Sequence, residues 1–134
     1  MALWNFMRLD KLTSKLQSAL SDAQSLALGK DNNQVDSVHL LLALIDQKAG
    51  SVRPLLGQIG FNVAELRNQL LAALDDLPKI SDHQGEISIS PELGKLLNQA
   101  DKLAQDRGDS FISSETVLFV AMNGKSHVGK ILNN

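Results

Sequence analysis

Apolar residues recur at every third or fourth position along most of the chain, which is the spacing of helices that bury one face. Each run follows a residue whose side chain can accept a hydrogen bond from the first helical turn and so act as an N-cap. These N-caps are Thr13, Asp36, Asn62, Ser90 and Ser113. Gly29 is expected to close the first helix as a C′ residue, and Pro78 to end the fourth. The pattern predicts an all-α fold, a compact bundle of about seven to eight helices.

Two segments of the chain repeat each other at an offset of 77 positions. The shift pairs Ala23 with Ala100, Leu26 with Leu103, Ala27 with Ala104, Ser37 with Ser114 and Leu41 with Leu118. In both copies an apolar residue precedes the N-cap and another follows at the fourth helical position, which forms a hydrophobic staple. The repeat predicts two four-helix units related by a pseudo-two-fold axis. The helices that begin near Ser37 and Ser114 are apolar on almost every face, so both are expected at the centre of the domain.

The expected domain covers residues 7–134, after a leader at residues 1–6. Repeat one is expected at about 13–77, a connector at 78–90 and repeat two at about 91–134, where the fourth helix is missing or truncated. The connector places polar residues around Ile87 and Ile89. We interpret it as a solvated loop that these isoleucines fix to the body, and a functional arm is the alternative.

Composition narrows the class of protein. The chain has 134 residues, of which 43% are hydrophobic, and that is enough to bury one sizeable core. Its formal net charge of -2 gives no electrostatic reason to expect nucleic-acid binding. No apolar run approaches the roughly 20 residues that a membrane-spanning helix needs. The absence of cysteine excludes disulfides, which is compatible with the cytoplasm.

No residue pattern indicates catalysis. The three histidines are His39, His83 and His127. They are not spaced as the ligands of a metal site are. We interpret His39, at the start of a predicted helix, as a packing residue. The segment 124–126 resembles the end of a phosphate-binding loop, but Phe119 stands where that loop requires its first glycine. We therefore expect no enzyme activity, no cofactor and no metal.

The two repeats differ where a binding surface would lie. The second copy has Phe111 and Glu115 where the first has Gln34 and Val38. Glu115, at the second helical position, can simply be a favourable charge at the positive end of a helix. Alternatively, exposed apolar side chains between the two halves, bordered by Asp109 and Glu115, form a groove for extended apolar peptide. The residues alone leave both interpretations open.

Several stretches closely resemble the N-terminal domain of the bacterial ClpB disaggregases. They are Met7-Arg8-Leu9-Asp10-Lys11-Leu12-Thr13, Ala23-Gln24-Ser25-Leu26-Ala27, His39-Leu40-Leu41-Leu42-Ala43-Leu44, Asp101-Lys102-Leu103-Ala104-Gln105 and Arg107-Gly108-Asp109-Ser110-Phe111-Ile112-Ser113-Ser114-Glu115. The similarity runs from Met7 to the end of the chain without large gaps. It implies a fold of two four-helix repeats, in agreement with the internal repeat.

The resemblance also implies a role. It suggests a domain of a hexameric AAA+ chaperone that cooperates with the DnaK system. We expect the domain itself to be monomeric and cytoplasmic, and its charge and apolar runs indicate no nucleic-acid or membrane partner. The domain would contact unfolded or aggregated polypeptides through Thr13, Asp109 and Glu115 and an apolar groove that includes Leu97. Gln99 and Thr116 are polar at groove positions where the family is more apolar. Docking on a folded adaptor, or on the domain's own ATPase ring, is the alternative role.

Overall fold

The computed structural model describes residues 9–80 and 87–133. Within these ranges, a short 3-10 helix at Leu9–Lys11 precedes seven α-helices and two short strands. The helices are α1 (Ser14–Gly29), α2 (Ser37–Asp46), α3 (Val52–Gln58), α4 (Val63–Asp75), α5 (Pro91–Arg107), α6 (Ser114–Met122) and α7 (His127–Leu132). The strands are β1 (Gln34–Val35) and β2 (Ser88–Ile89). The predicted all-α fold is confirmed, and residues 1–6 lie outside the described residues.

The predicted N-caps begin their helices as expected. The side-chain oxygens of Thr13, Asn62, Ser90 and Ser113 each accept a hydrogen bond from the backbone N–H three residues further on. Asp36 accepts from Val38 N instead, at 2.9 Å. Each cap satisfies a donor that the helix leaves without an internal partner. Short polar side chains at these five positions therefore fix where the helices start.

The end of α1 differs from the prediction. Gly29 is the last residue of the helix, and the left-handed residue that follows is Asp31, with φ 59°. Aspartate tolerates this conformation better than most residues because its short polar side chain bonds locally. The backbone N–H of Asn32 then donates to Ala27 O at 3.0 Å, which closes the helix end. At the end of α5, Gly108 takes the corresponding position with φ 75°.

Helix α2 is the centre of the fold, as predicted. Every residue from Ser37 to Ile45 is buried, and α1, α3, α4, α5 and α7 all pack against it. The prediction for α6 was wrong on one face. Phe119 is 50% exposed, whereas Leu42, its counterpart 77 positions earlier, is 2% exposed. Helix α4 packs against α2, and the described residues contain no equivalent helix against α6.

Two parallel backbone pairings join the halves of the chain. Strand β1 pairs with β2, so that Gln34 lies opposite Ser88 and Val35 opposite Ile89. At the other pairing, Leu12 lies opposite Ile112. Ile87 is buried and Ile89 packs against the core, so the isoleucines fix the connector to the body as expected. The interpretation of this segment as a loop is corrected, because Ser88–Ile89 forms a strand. Residues 81–86 of that connector lie outside the described residues.

Candidate functional site

The two pairings have the same geometry and define two ends of the seam between the halves. Ser90 N donates to Val35 O at 3.0 Å, and Thr13 N donates to Ile112 O at the same distance. Both donors and both acceptors are 77 positions apart in the sequence. We call the side that holds the starts of α2, α5 and α7 the closed end. The side that holds the starts of α1, α6 and α3 is the open end.

One carboxylate joins three helix starts at the closed end. Glu92 accepts hydrogen bonds from Ser37 N at 2.8 Å, Ser37 Oγ at 2.6 Å and His127 N at 2.7 Å. A fourth comes from Ser90 Oγ at 3.0 Å. Burial alone would raise the pKa of Glu92, but these hydrogen bonds outweigh it and the pKa is lowered. The ionised carboxylate therefore seals this end by satisfying donors from both halves.

A second set of buried polar groups lies beneath Glu92. His39 Nδ1 accepts from Asp36 N at 2.8 Å, and His39 Nε2 lies 2.9 Å from Asn32 Oδ1. Because Nδ1 accepts, the proton of the neutral ring is on Nε2, which donates to Asn32. Burial lowers the pKa of His39 to about 4. The interpretation of His39 as a structural residue agrees with this placement.

The Asp36 carboxylate connects this set to α7. Its Oδ2 lies 2.9 Å from His127 Nδ1 and also accepts from Val38 N. Burial raises the pKa of Asp36, against the opposing effects of these two hydrogen bonds. The closed end thus holds two carboxylates, each engaged by donors from separate elements, and leaves little polar surface to a ligand.

The open end has the same backbone frame but different side chains. Lys15 stands where the closed end has Glu92, and its Nζ donates to Lys48 O at 3.3 Å. Ser114 stands where the closed end has Ser37, and among the described residues its buried Oγ has no hydrogen-bond partner. No carboxylate enters from α1 to bridge the helix starts. The open end is therefore held by its backbone pairing, its caps and a contact of Glu115 with Ser51.

Glu115 is the acidic group of the open end. It is exposed at the second position of α6, and a hydrogen bond from the Ser51 side chain is the main reason why its pKa is lowered. Ser51 immediately precedes α3, so this contact links the two halves across the seam. Glu115 stays ionised and accessible.

Phe111 supplies exposed apolar surface beside this pairing. It directly precedes Ile112, whose backbone pairs with the segment that leads into α1, and its ring is 55% exposed. Asp109 is also exposed and begins the same loop after Gly108, with its backbone N–H donating to Ala104 O at 2.8 Å. The open end thus presents an aromatic ring on a loop that carries acidic groups before and after it.

The structure brings only some of the predicted binding residues to this surface. Thr13, Asp109 and Glu115 lie on the segments that form the open end. Leu97 is 0% exposed, because it belongs to the face of α5 that packs into the core. Thr116 is 5% exposed, and its hydroxyl lies 3.0 Å from Ser113 Oγ inside the cap. In this conformation neither side chain offers surface to a peptide.

Gln99 lies apart from the open end. It is exposed on the outer face of α5, in a cleft with Lys95 and Lys125 whose lining includes neither Thr13 nor Glu115.

The sequence analysis did not identify Glu92 and Ser51, which make the polar contacts of the two ends. The 77-residue offset was the available signal, because it sets Glu92 against Lys15 and so marks the position where the ends differ.

The remaining candidates from the sequence form no catalytic or metal-binding group among the described residues. His83 lies outside the described residues. Residues 124–126 form the turn that leads into α7, where Ser126 Oγ accepts from Gly129 N at 3.1 Å. Across residues 9–80 and 87–133, no group of three or more His, Cys, Asp or Glu side chains could hold a metal ion. No helix in the same ranges is long and apolar enough to cross a membrane.

The chain is a duplicated helical unit whose two ends differ in their side chains. Residues 11–134 match the Clp repeat (R) N-terminal domain family, and the chain belongs to that family. Over 126 residues it is 56% identical to the chaperone protein ClpB of Pseudomonas putida, and over the same length 48% identical to ClpB of Vibrio cholerae. Each alignment covers 94% of this chain and 15% of the relative, so the chain spans about a seventh of the length of these relatives.

Solved structures agree on the fold. The N-terminal domain of Hsp104 from Candida albicans superposes with a TM-score of 0.81 at 20% identity, over 92% of this chain and 80% of that one. The N-terminal domain of the ClpV1 ATPase from Escherichia coli gives 0.80 at 23% identity, over 94% and 79%. A ClpV N-domain in complex with a VipB peptide gives 0.70 at 25% identity, over 85% and 69%. The chain therefore has the fold of these Clp-type N-terminal domains.

Proposed function

We propose that this domain engages substrate for an ATP-dependent ClpB-type disaggregase. It binds exposed apolar segments of unfolded or aggregated protein at the open end and passes them to an AAA+ ring outside this chain. The observation that carries the proposal is the contrast between the ends. Glu92 fills one end with satisfied hydrogen bonds, whereas the other exposes Phe111 and Glu115. An exposed aromatic ring supplies a large apolar contact area for a bound chain, and the charges beside it would border that contact.

The chemistry of the open end favours weak and reversible binding. An extended peptide could bury the ring of Phe111, while Glu115 and Asp109 at the border select against acidic neighbours. In a hexamer, several weak sites would bind one substrate with higher avidity than a single site does. The hexamer would cooperate with the DnaK system. ATP hydrolysis would belong to the ring, and this domain would supply contact alone.

The test is a titration of the isotope-labelled chain with unfolded casein or an apolar peptide, followed by NMR. We expect the largest shifts at the amides of Thr13, Phe111 and Glu115. Phe111→Ser should weaken binding about ten-fold, since anchors of this kind dominate contact energies. Phe119→Ser is the matched control, because it removes an equally exposed ring on the outer face of α6. Shifts confined to other surfaces, or equal effects of both variants, would exclude the open end.

A second role is supported by the ClpV N-domain in complex with a VipB peptide, which shows a relative engaging a defined protein segment. By analogy this domain would bind a defined segment presented by a folded adaptor or by its own ring. A pull-down that compares folded adaptors with unfolded casein separates the two roles. Retention of unfolded chains alone supports substrate engagement, and retention of a folded partner alone supports docking.

A further inference from the structure

A second surface lies on the outer side of the second repeat, where it borders the closed end through Glu92 and Ser126. The N-terminal half of α5 and the turn from α6 to α7 enclose a cleft of about 350 Å³. Its lining includes Glu92, Lys95, Leu96, Gln99, Lys125 and Ser126. We call it the lysine cleft. It continues along the outer face of α5 past Gly94 and Asn98 to Lys102, since the two depressions share Lys95 and Gln99.

The charges of the cleft are unbalanced. Lys95 and Lys125 form no ion pair or hydrogen bond with any described residue, and Lys102 has only an exposed contact of 3.8 Å with Asp106. The one acidic residue in the lining is Glu92, and its oxygens are occupied by Ser37, Ser90 and the backbone of His127. Glu92 keeps its negative charge, because the groups that donate to its oxygens are neutral. Lys95 and Lys125 therefore leave the lining with one excess positive charge, on a chain whose net charge is -2.

The first repeat shares only part of this feature. The positions that correspond to Lys95 and Lys102 are Ser18 and Ser25, and Asp22 stands in place of Gln99. The outer face of α1 thus carries hydroxyl groups and an acid where α5 carries lysines. Lys48 corresponds to Lys125, so Lys95 and Lys102 are the lysines of this surface that the first repeat lacks, and a repeat forms without them.

We propose that the lysine cleft docks an acidic segment of a partner polypeptide, with carboxylates on Lys95 and Lys125 and an apolar side chain between them over the lysine stems. Carboxylates match two separated ammonium groups, whereas the cleft lacks the arginine fork or the extended basic stripe that phosphate backbones require. The lysine methylenes supply apolar cover while their charges remain in water. This proposal does not depend on the role of the open end.

The probe is a short fluorescein-labelled peptide in which glutamates alternate with leucines. Its binding to the whole chain is followed by anisotropy, with NMR of the isotope-labelled chain to locate the contact. The double variant Lys95→Gln with Lys125→Gln should bind about ten-fold more weakly, the sum of two exposed ion pairs. Raising the salt concentration should weaken wild-type binding in the same direction, because exposed pairs are screened.

The matched control is Lys30→Gln with Lys48→Gln, which removes the same charge from exposed sites elsewhere, Lys48 being the counterpart of Lys125. We expect this control to bind as the wild type does, and a probe with glutamine in place of glutamate to bind about ten-fold more weakly. The proposal is overturned if both double variants lose affinity equally, if the glutamine probe binds as well, or if the shifts avoid α5. It is also overturned if an oligonucleotide of equal charge binds more tightly through the same lysines, or if the chain self-associates there.

Discussion

His39 makes the stability of this domain depend on pH in a way that one substitution can isolate. Its ring is 0% exposed, with Nδ1 accepting from Asp36 N and Nε2 donating to Asn32 Oδ1. A protonated ring would carry a hydrogen on Nδ1 and lose the first of these bonds. Burial accordingly lowers the pKa of His39 to about 4, from the usual 6.5.

The sign and size of the effect follow from linkage. Between pH 6.5 and 4 the unfolded chain binds a proton at His39 and the folded chain does not, so protonation favours unfolding. The contribution of neutral His39 to the free energy of unfolding is fully present above pH 6.5 and is lost as the pH falls towards 4. A difference of two and a half pKa units corresponds to about 3 kcal/mol, most of it lost by pH 4.5.

The assay is urea unfolding followed by far-ultraviolet circular dichroism at several pH values. His39→Gln is the comparison, because glutamine at this helix position can accept from Asp36 N and donate to Asn32 without titrating. Replacing the ring by an amide also changes the packing, but this difference in the free energy of unfolding does not vary with pH. All other titrating groups are the same in the two proteins. From pH 7 to pH 4, the wild type should lose about 3 kcal/mol more of its free energy of unfolding than His39→Gln does. Parallel curves, or an NMR titration of His39 near pH 6.5, would refute the reasoning.

Two further substitutions test how the closed end and α7 are held. Glu92→Gln should lower the free energy of unfolding by about 3 kcal/mol in the same assay, because an amide cannot accept from all the donors around it; Glu65→Gln, on an exposed face, should change it by less than about 0.5 kcal/mol. Equal effects would contradict the bridging role. Gly129→Ala should cost about 1–3 kcal/mol, since its Cβ would lie 2.5 Å from Gly124 O and 2.8 Å from Ala121 O. Gly94→Ala, with nothing within 4 Å, should instead stabilise slightly, and thermal melts that rank these two the other way would show that α7 yields easily.

Much of the fold could be predicted from the sequence because its signals are local. A cap such as Ser90 and the proline after it specify a helix start without reference to the rest of the chain. The strand at Ser88–Ile89 could not be predicted, since its partner Gln34–Val35 is far away in sequence and a two-residue strand has no period to detect. Tertiary packing alone decides such a pairing.

The candidate site was predicted less well, for a related reason. Leu97 lies on the same face of α5 as Leu93 and Ala100, a spacing that places it in the core, but its place in the resembling family suggested a groove. Glu92 lies in a first helical turn, where an acidic residue is common. Its function as a bridge depends on Ser37 and His127 arriving from other elements, which no local pattern reports.

The crossed backbone pairings bear on how this architecture arises. Each half lends an extended segment to the other, at Leu12 with Ile112 and at Val35 with Ile89, so neither half completes the approach to its helices by itself. A single ancestral unit would have met this need by associating with an identical copy through the same two contacts, in the manner of an isologous dimer. In a single chain the two copies can differ, so one contact carries the Glu92 carboxylate bridge while the other leaves Phe111 exposed.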